Sequence, residues 1–136
     1  MSILGTDLAL VDGDLAAAAD GDAATVTGTA CLVQDLIHRL STPRGTLWMH
    51  PEYGCDLYRF LHVEDSQVQR IDMQGAIQDA IEADPRVVPG SARCEILAWA
   101  MEGRVRLAVA LQAISETHPL NLVLLADTAA GTVEVV

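Results

Sequence analysis

Lysine is absent from this chain. Eight arginines stand against nineteen carboxylates, for a formal net charge of −11. A field of that sign repels phosphate backbones, so nucleic acid is not an expected partner, whereas a basic protein surface is. The imbalance is steepest at the start: Asp7, Asp12, Asp14, Asp20 and Asp22 occur before any basic residue. Aromatic residues are also scarce, with one Phe, two Trp and two Tyr, too few to line a sugar cleft. Cysteine is limited to Cys31, Cys55 and Cys94, an odd number with neither a CxxC pair nor zinc spacing. They read as small core residues in a reduced or shielded setting, and no metal or cofactor is expected. No run approaches the roughly 18 apolar residues of a membrane helix. Leu15 to Ala19 is short for a signal peptide and lacks a basic leader, so no membrane partner and manufacture in a cytoplasm are the expectations.

What is present is enough to fold. Apolar residues make up 51% of 136 residues, and a chain of that length buries roughly two-thirds of its unfolded surface without a disulfide or metal staple. The expected organisation is one domain, with residues 1–26 as an N-terminal hairpin or arm and 27–136 as the core. Asp12-Gly13-Asp14 favours a tight reversal between Leu10 and Leu15. Asp20-Gly21-Asp22 repeats the triplet, but neither a twelve-residue nor a nine-residue calcium pattern accompanies it, and turn chemistry accounts for both.

Leu32, Val33, Leu36, Ile37 and Leu40 form one apolar stripe on a helix from about Thr29 to Leu40, with Thr29 as its cap and His38 and Arg39 at its negative pole. A second long helix starts near Asp65 or Ser66 and runs to Ala83. Its main stripe is Met73, Ile77, Ala80 and Ile81, with Val68, Ile71 and Gly75 nearly opposite, so two of its sides are expected to touch something. From Ser91 the period switches to two. Ala92, Cys94, Ile96, Ala98 and Ala100 are expected to face Val105, Leu107, Val109 and Leu111 across a Glu102-Gly103 turn. On the other face a two-residue turn pairs Met101 with Arg104, Trp99 with Arg106 and Leu97 with Ala108, placing an arginine over an indole. A third strand follows the loop Ser115 to Pro119 through Leu120, Leu122 and Leu124. A last strand over Thr132 to Val136 is a candidate exposed edge. The expected class is α+β, two main helices packed on a small antiparallel sheet.

Catalysis finds little support. Glu52 and Asp56, with His50 nearby, are spaced for one helix face, but Pro51 and Gly54 oppose a helix there. Ser115, Glu116 and His118 are too close in sequence for a triad. His62 and Glu64 read as surface and cap residues.

The stretch from His38 to Leu57 carries more. Pro43 stops the first helix near Ser41 and Thr42, and Gly45 frees the backbone to reverse; Pro51 and Gly54 repeat that punctuation. A helix ending in Arg39-Leu40, then TPRG with Arg44, a short apolar strand, and PEYG with Tyr53 leading into a small helix at Cys55 to Leu61, resembles the gpW/gene-25-like baseplate wedge (sheath initiator) family of contractile phage tails. Its relatives include the baseplate counterpart of type VI secretion machines. Asp84-Pro85-Arg86, after a helix and before a strand hairpin, resembles the family's Glu-Pro-Arg signature with Asp in place of Glu. The opening GTDLALVDGDL is similar to the entry of the phage branch. From the residues alone, Arg86 either satisfies the helix end, pairing with Asp84 or Glu82, or reaches a partner.

The resemblance implies a structural, non-enzymatic baseplate component in six copies in the virion, assembled in the host cytoplasm. It implies that Asp84, Pro85, Arg86, Arg44 and Tyr53 meet larger wedge subunits near the central hub or tube proteins, and that the sheet, through Leu120, Leu122 and Leu124, receives strands of the tail sheath protein. The alternatives are a type VI secretion wedge protein and a cytoplasmic regulator of the same fold.

Overall fold

The computed structural model describes residues 5–11, 14–15, 25–61, 66–100, 103–114, 116–127 and 132–136. They group into two compact units, residues 1–36 and 37–136. The first unit holds four short strands, β1 (Thr6–Leu8), β2 (Leu10–Val11), β3 (Asp14–Leu15) and β4 (Thr25–Thr27). β2 and β3 pair as Leu10 with Leu15 and Val11 with Asp14, the hairpin expected around Asp12-Gly13. β1 pairs antiparallel with β4, which nothing in the sequence had indicated. The Gly28 amide donates to the Gly5 carbonyl at 3.1 Å, and Gln34 Nε2 donates to the Leu8 carbonyl at 2.7 Å. Helix α1 (Gly28–Ser41) begins at Gly28 with φ of 63°, so Thr29 lies inside the helix rather than capping it. Leu32, Leu36 and Leu40 form its buried stripe. Asp20-Gly21-Asp22 lies outside the described residues.

In the second unit, helices α2 (Leu57–Leu61) and α3 (Gln67–Glu82) accompany a four-stranded antiparallel sheet of β5 (Arg93–Ala100), β6 (Arg104–Leu111), β7 (Leu120–Asp127) and β8 (Thr132–Val135), in that spatial order. The class is α+β, as expected. Ser66 caps α3, its hydroxyl accepting from the Gln69 amide at 3.2 Å. Met73, Ile77, Ala80 and Ile81 are the buried face of α3, matched by buried Val105, Leu107, Val109 and Leu111 on β6. Apart from Ala80, each such side chain contributes roughly 1.5 to 3 kcal/mol by leaving water.

Helix α3 is bonded to the sheet as well as packed on it. The side-chain oxygens of Gln74, Gln78 and Glu82 accept from the main-chain amides of Ile96, Cys94 and Ala92 at 3.3, 3.1 and 3.1 Å. Four helical residues rise about 6 Å and two strand residues advance about 6.6 Å, so the two ladders stay in step. The outward amides at the start of β5, those of Cys94 and Ile96, and that of Ala92 just before it are thereby held by helix side chains.

The hairpin register departs from expectation at Leu97. Pairing runs Arg93 with Ala110 through Ile96 with Leu107, then resumes as Ala98 with Arg106, Trp99 with Val105 and Ala100 with Arg104. The extra residue is a β-bulge, which resets the alternation. Ala98 is therefore exposed instead of in the core, and Trp99 turns inward beside Val105. The cation near its indole is Arg70 of α3, 5.9 Å from the ring centroid, not Arg106. Arg104, expected opposite Met101, pairs with Ala100 instead.

The TPRG and PEYG turns close on each other. The Gly45 amide donates to the Pro51 carbonyl and the Cys55 amide to the Thr42 carbonyl, both at 2.9 Å, while Thr42 Oγ1 bonds back to the His38 carbonyl at 2.7 Å. The stretch between them is not a strand. It turns through Thr46 to Pro43 and His50 to Leu47 bonds, leaving Trp48 87% exposed. Closing those turns satisfies main-chain groups within the loop itself, where a strand would have needed a partner. Gly54 permits the closure: its φ is 115°, and a Cβ there would lie 2.2 Å from the Thr42 carbonyl oxygen. Gly54→Ala is expected to cost about 3 kcal/mol or more, from the left-handed backbone and the clash together. A denaturant midpoint unchanged from that of the native protein would refute this.

Candidate partner-binding surfaces

The Asp84-Pro85-Arg86 segment sits where α3 gives way to the sheet. Pro85 has no amide to continue the helix, and Ala83 caps it with its amide on the Asp79 carbonyl. Asp84 is only 2% exposed, the one buried charged residue among those described. Its carboxylate accepts the Arg86 amide at 2.9 Å, Arg86 Nε at 2.9 Å and Arg86 Nη2 at 2.5 Å. Burial pushes the Asp84 pKa up, but these bonds and the attraction of Arg86 and Arg39 outweigh it, and the carboxyl is held below its ordinary value. The following backbone is tied to the end of β6. Ile114 donates to the Arg86 carbonyl and Val88 to the Gln112 carbonyl, both at 2.9 Å, around a Val87 to Ala113 bridge. Of the two roles left open for Arg86, the structure places its guanidinium on Asp84, with 20% of the side chain reaching solvent. Pro85 is exposed.

Tyr53 is half-buried, its hydroxyl 2.9 Å from His38 Nδ1 and its ring 4.6 Å below the Arg39 guanidinium carbon. Arg44 is exposed and borders a cleft of about 200 Å³ shared by Arg39, Glu52, Asp56 and Asp79 over a floor of Gly54, Ala76, Ala80 and Ala83. Glu52 and Asp56 thus meet in one cleft, yet through the PEYG turn rather than along a helix. His50 does not line it. Ser115, His62 and Glu64 lie outside the described residues, and His118 is exposed. No set of three His, Cys, Asp or Glu side chains able to hold a metal ion occurs among the described residues. Burial raises the Cys55 thiol to about 11 and the Cys94 thiol, beside Cys55, to about 12, so both are protonated and poorly nucleophilic at neutral pH. Among the described residues, no helix is long and apolar enough to cross a membrane.

The third surface is the far edge of the sheet. β8 pairs with β7 only over Leu124 to Asp127, and among the described residues no strand adjoins its other side. Val136 donates to the Val123 carbonyl at 2.8 Å. Antiparallel bonding alternates, so the amides of Val135 and Val133 point outward. Of the three leucines expected to meet a partner, Leu124 is in the core, and Leu120 and Leu122 are half-buried. What this edge offers is main chain and the outward residues Asn121 and Val123. Two exposures escaped the sequence reading: the Leu47-Trp48-Met49 tip, where flanking Pro and Gly were the available signal, and the open space over Gly75 on α3.

No family model matches the chain, and no curated protein matches it. Among solved structures, it is similar to a Geobacter sulfurreducens protein described as a candidate tail lysozyme, crystallised at 1.44 Å. Identity is 22% over 72% of this chain and 90% of that one, with a TM-score of 0.57. At that identity the likeness is one of fold.

The folded-state pKa of Asp84 lies below the unfolded value of about 3.9. Its contribution to stability is therefore present above that value and is lost as pH falls through the lower one. Arg86→Ala strands a buried carboxylate and is expected to cost roughly 3 kcal/mol at neutral pH. Asp84→Asn is expected to flatten the loss of stability below about pH 4. Urea midpoints across pH 2 to 7 test both, and identical profiles for native and Asp84→Asn proteins would exclude this role.

Proposed function

We propose that this chain is a structural component of a contractile phage tail baseplate, joining larger wedge subunits around the central hub or tube and seeding the sheath, without catalysis of its own. It acts in about six copies in the virion, by the resemblance of its TPRG, PEYG and Asp-Pro-Arg motifs. The observation that carries this reading is the asymmetry of the sheet. Helix side chains occupy the outward amides of Cys94 and Ile96 in the first half of β5, and the β8 edge presents outward amides to which a strand from another chain can add. Each added main-chain bond contributes roughly 0.5 to 1.5 kcal/mol net, so a short donated strand anchors a subunit. A fold shared with a protein described as belonging to a tail agrees with this reading.

Val135→Pro tests it, because the substitution removes an outward amide and keeps the β7 to β8 bonds. Baseplates are expected to form and sheaths to fail on them in electron micrographs of mutant lysates. Full-length sheaths would refute strand donation at this edge.

A second reading comes from the neighbour's description as a lysozyme: Glu52 and Asp56 in one cleft as an acid and base pair. Two arginines share that cleft, and five aromatic residues in the whole chain leave little to stack on a sugar. Purified protein is expected to leave peptidoglycan intact. Turnover that Glu52→Gln abolishes would make the protein an enzyme.

A further inference from the structure

Helix α3 spends one side on the core and another on β5, and among the described residues a third side is exposed. Val68 is 66% exposed and Ile71 58% exposed, and Gly75 continues their line at i, i+3 and i+7. A glycine inside a helix costs stability relative to alanine. Packing within the protein does not require this one, since a Cβ at Gly75 meets nothing within 4 Å. A backbone that approaches from outside does require it. Asp72 and Asp79 fall on the same exposed face, which makes it acidic, while in the adjoining cleft over Ala76 and Ala83 Glu52 and Asp56 are balanced by Arg39 and Arg44.

We infer that this face of α3 is a docking site for an amphipathic helix of another protein, packed closest at Gly75, with an apolar ridge on Val68 and Ile71 and arginine or lysine facing Asp72 and Asp79. Helix on helix is the geometry that a small residue in an apolar stripe serves, because it lets the two axes approach. The charge excludes a second copy of α3 as the occupant, which would bring Asp72 and Asp79 against their own kind. The surface is separate from the β8 edge and from the Asp84 to Arg86 brace, so it holds whether or not the baseplate reading does.

The probe is a synthetic helical peptide of about 20 residues, with leucine and alanine on one face and arginines along its flank. It is titrated into the full ¹⁵N-labelled chain while amide shifts are followed. Shifts are expected along Val68 to Asp79. Gly75→Leu, Val68→Ser with Ile71→Ser, and Asp72→Asn with Asp79→Asn are each expected to weaken binding at least about tenfold. These positions are exposed or open, so circular dichroism of the variants should match the native protein. Gly75→Ala is expected to raise Tm in the absence of peptide. Unchanged binding by Gly75→Leu, shifts centred elsewhere, equal binding of a peptide with glutamate in place of arginine, no binding at millimolar peptide, or self-association through Val68 and Ile71 would each overturn the inference.

Discussion

The structure depends on a match of two repeats. Every fourth residue of α3, at Gln74, Gln78 and Glu82, meets every second amide at Ile96 and Cys94 of β5 and at Ala92 just before it, because four helical residues and a pair of strand residues advance by nearly the same distance. This fixes the helix along the strand in register, which apolar packing alone does only loosely. It also satisfies outward amides at the start of an edge strand, at Cys94 and Ile96, while among the described residues no strand adjoins the outer side of β8.

The same ladder apportions the faces of α3. Met73, Ile77 and Ile81 enter the core, the glutamines and Glu82 hold the strand, and Val68, Ile71 and Gly75 are left to solvent. The helix ends where Pro85 removes an amide, and the buried Asp84 with its Arg86 clamp carries the chain from α3 to the strand side. An ion pair this enclosed adds little net stability compared with an apolar substitute, but losing one partner is costly, so the turn is held in a single geometry. The bulge at Leu97 belongs to the same arrangement. It turns Trp99 inward, near Arg70, and ends the stretch of β5 that the helix side chains serve.

The loop from Thr42 to Cys55 is built on a different principle. Its bonds are main chain to main chain across two turns, and Gly54 lies so close to Thr42 that no side chain fits between them. The rigid base supports Tyr53 between His38 and Arg39 and projects Trp48 into solvent. Such bonds spare the main chain of the loop part of the entropy cost of ordering on contact, while the exposed Trp48 side chain still carries its own.

The sequence by itself determined both long helices, the buried stripe of α3, its start near Asp65 or Ser66, the β2 to β3 hairpin and the strands β6 to β8. Each of these rests on local periodicity or on the fixed chemistry of Pro, Gly and Ser. The positions of Pro43, Gly45, Pro51 and Gly54 also marked the paired turns correctly. Tertiary structure decided the rest. A bulge adds no signature to a run such as Ile96-Leu97-Ala98-Trp99, so the reversal of Trp99 and Ala98 could not be seen in alternation alone. The four apolar or neutral residues Thr46 to Met49 read as a strand, but the two flanking turns bond to each other and leave them no partner. Whether Arg86 pairs within the chain with Asp84 or Glu82 was open in the sequence, and the buried Asp84 carboxylate is the one it holds. Leu124 differs from Leu120 and Leu122 only by its distance along β7, and the sheet's contact with the core makes it the buried one.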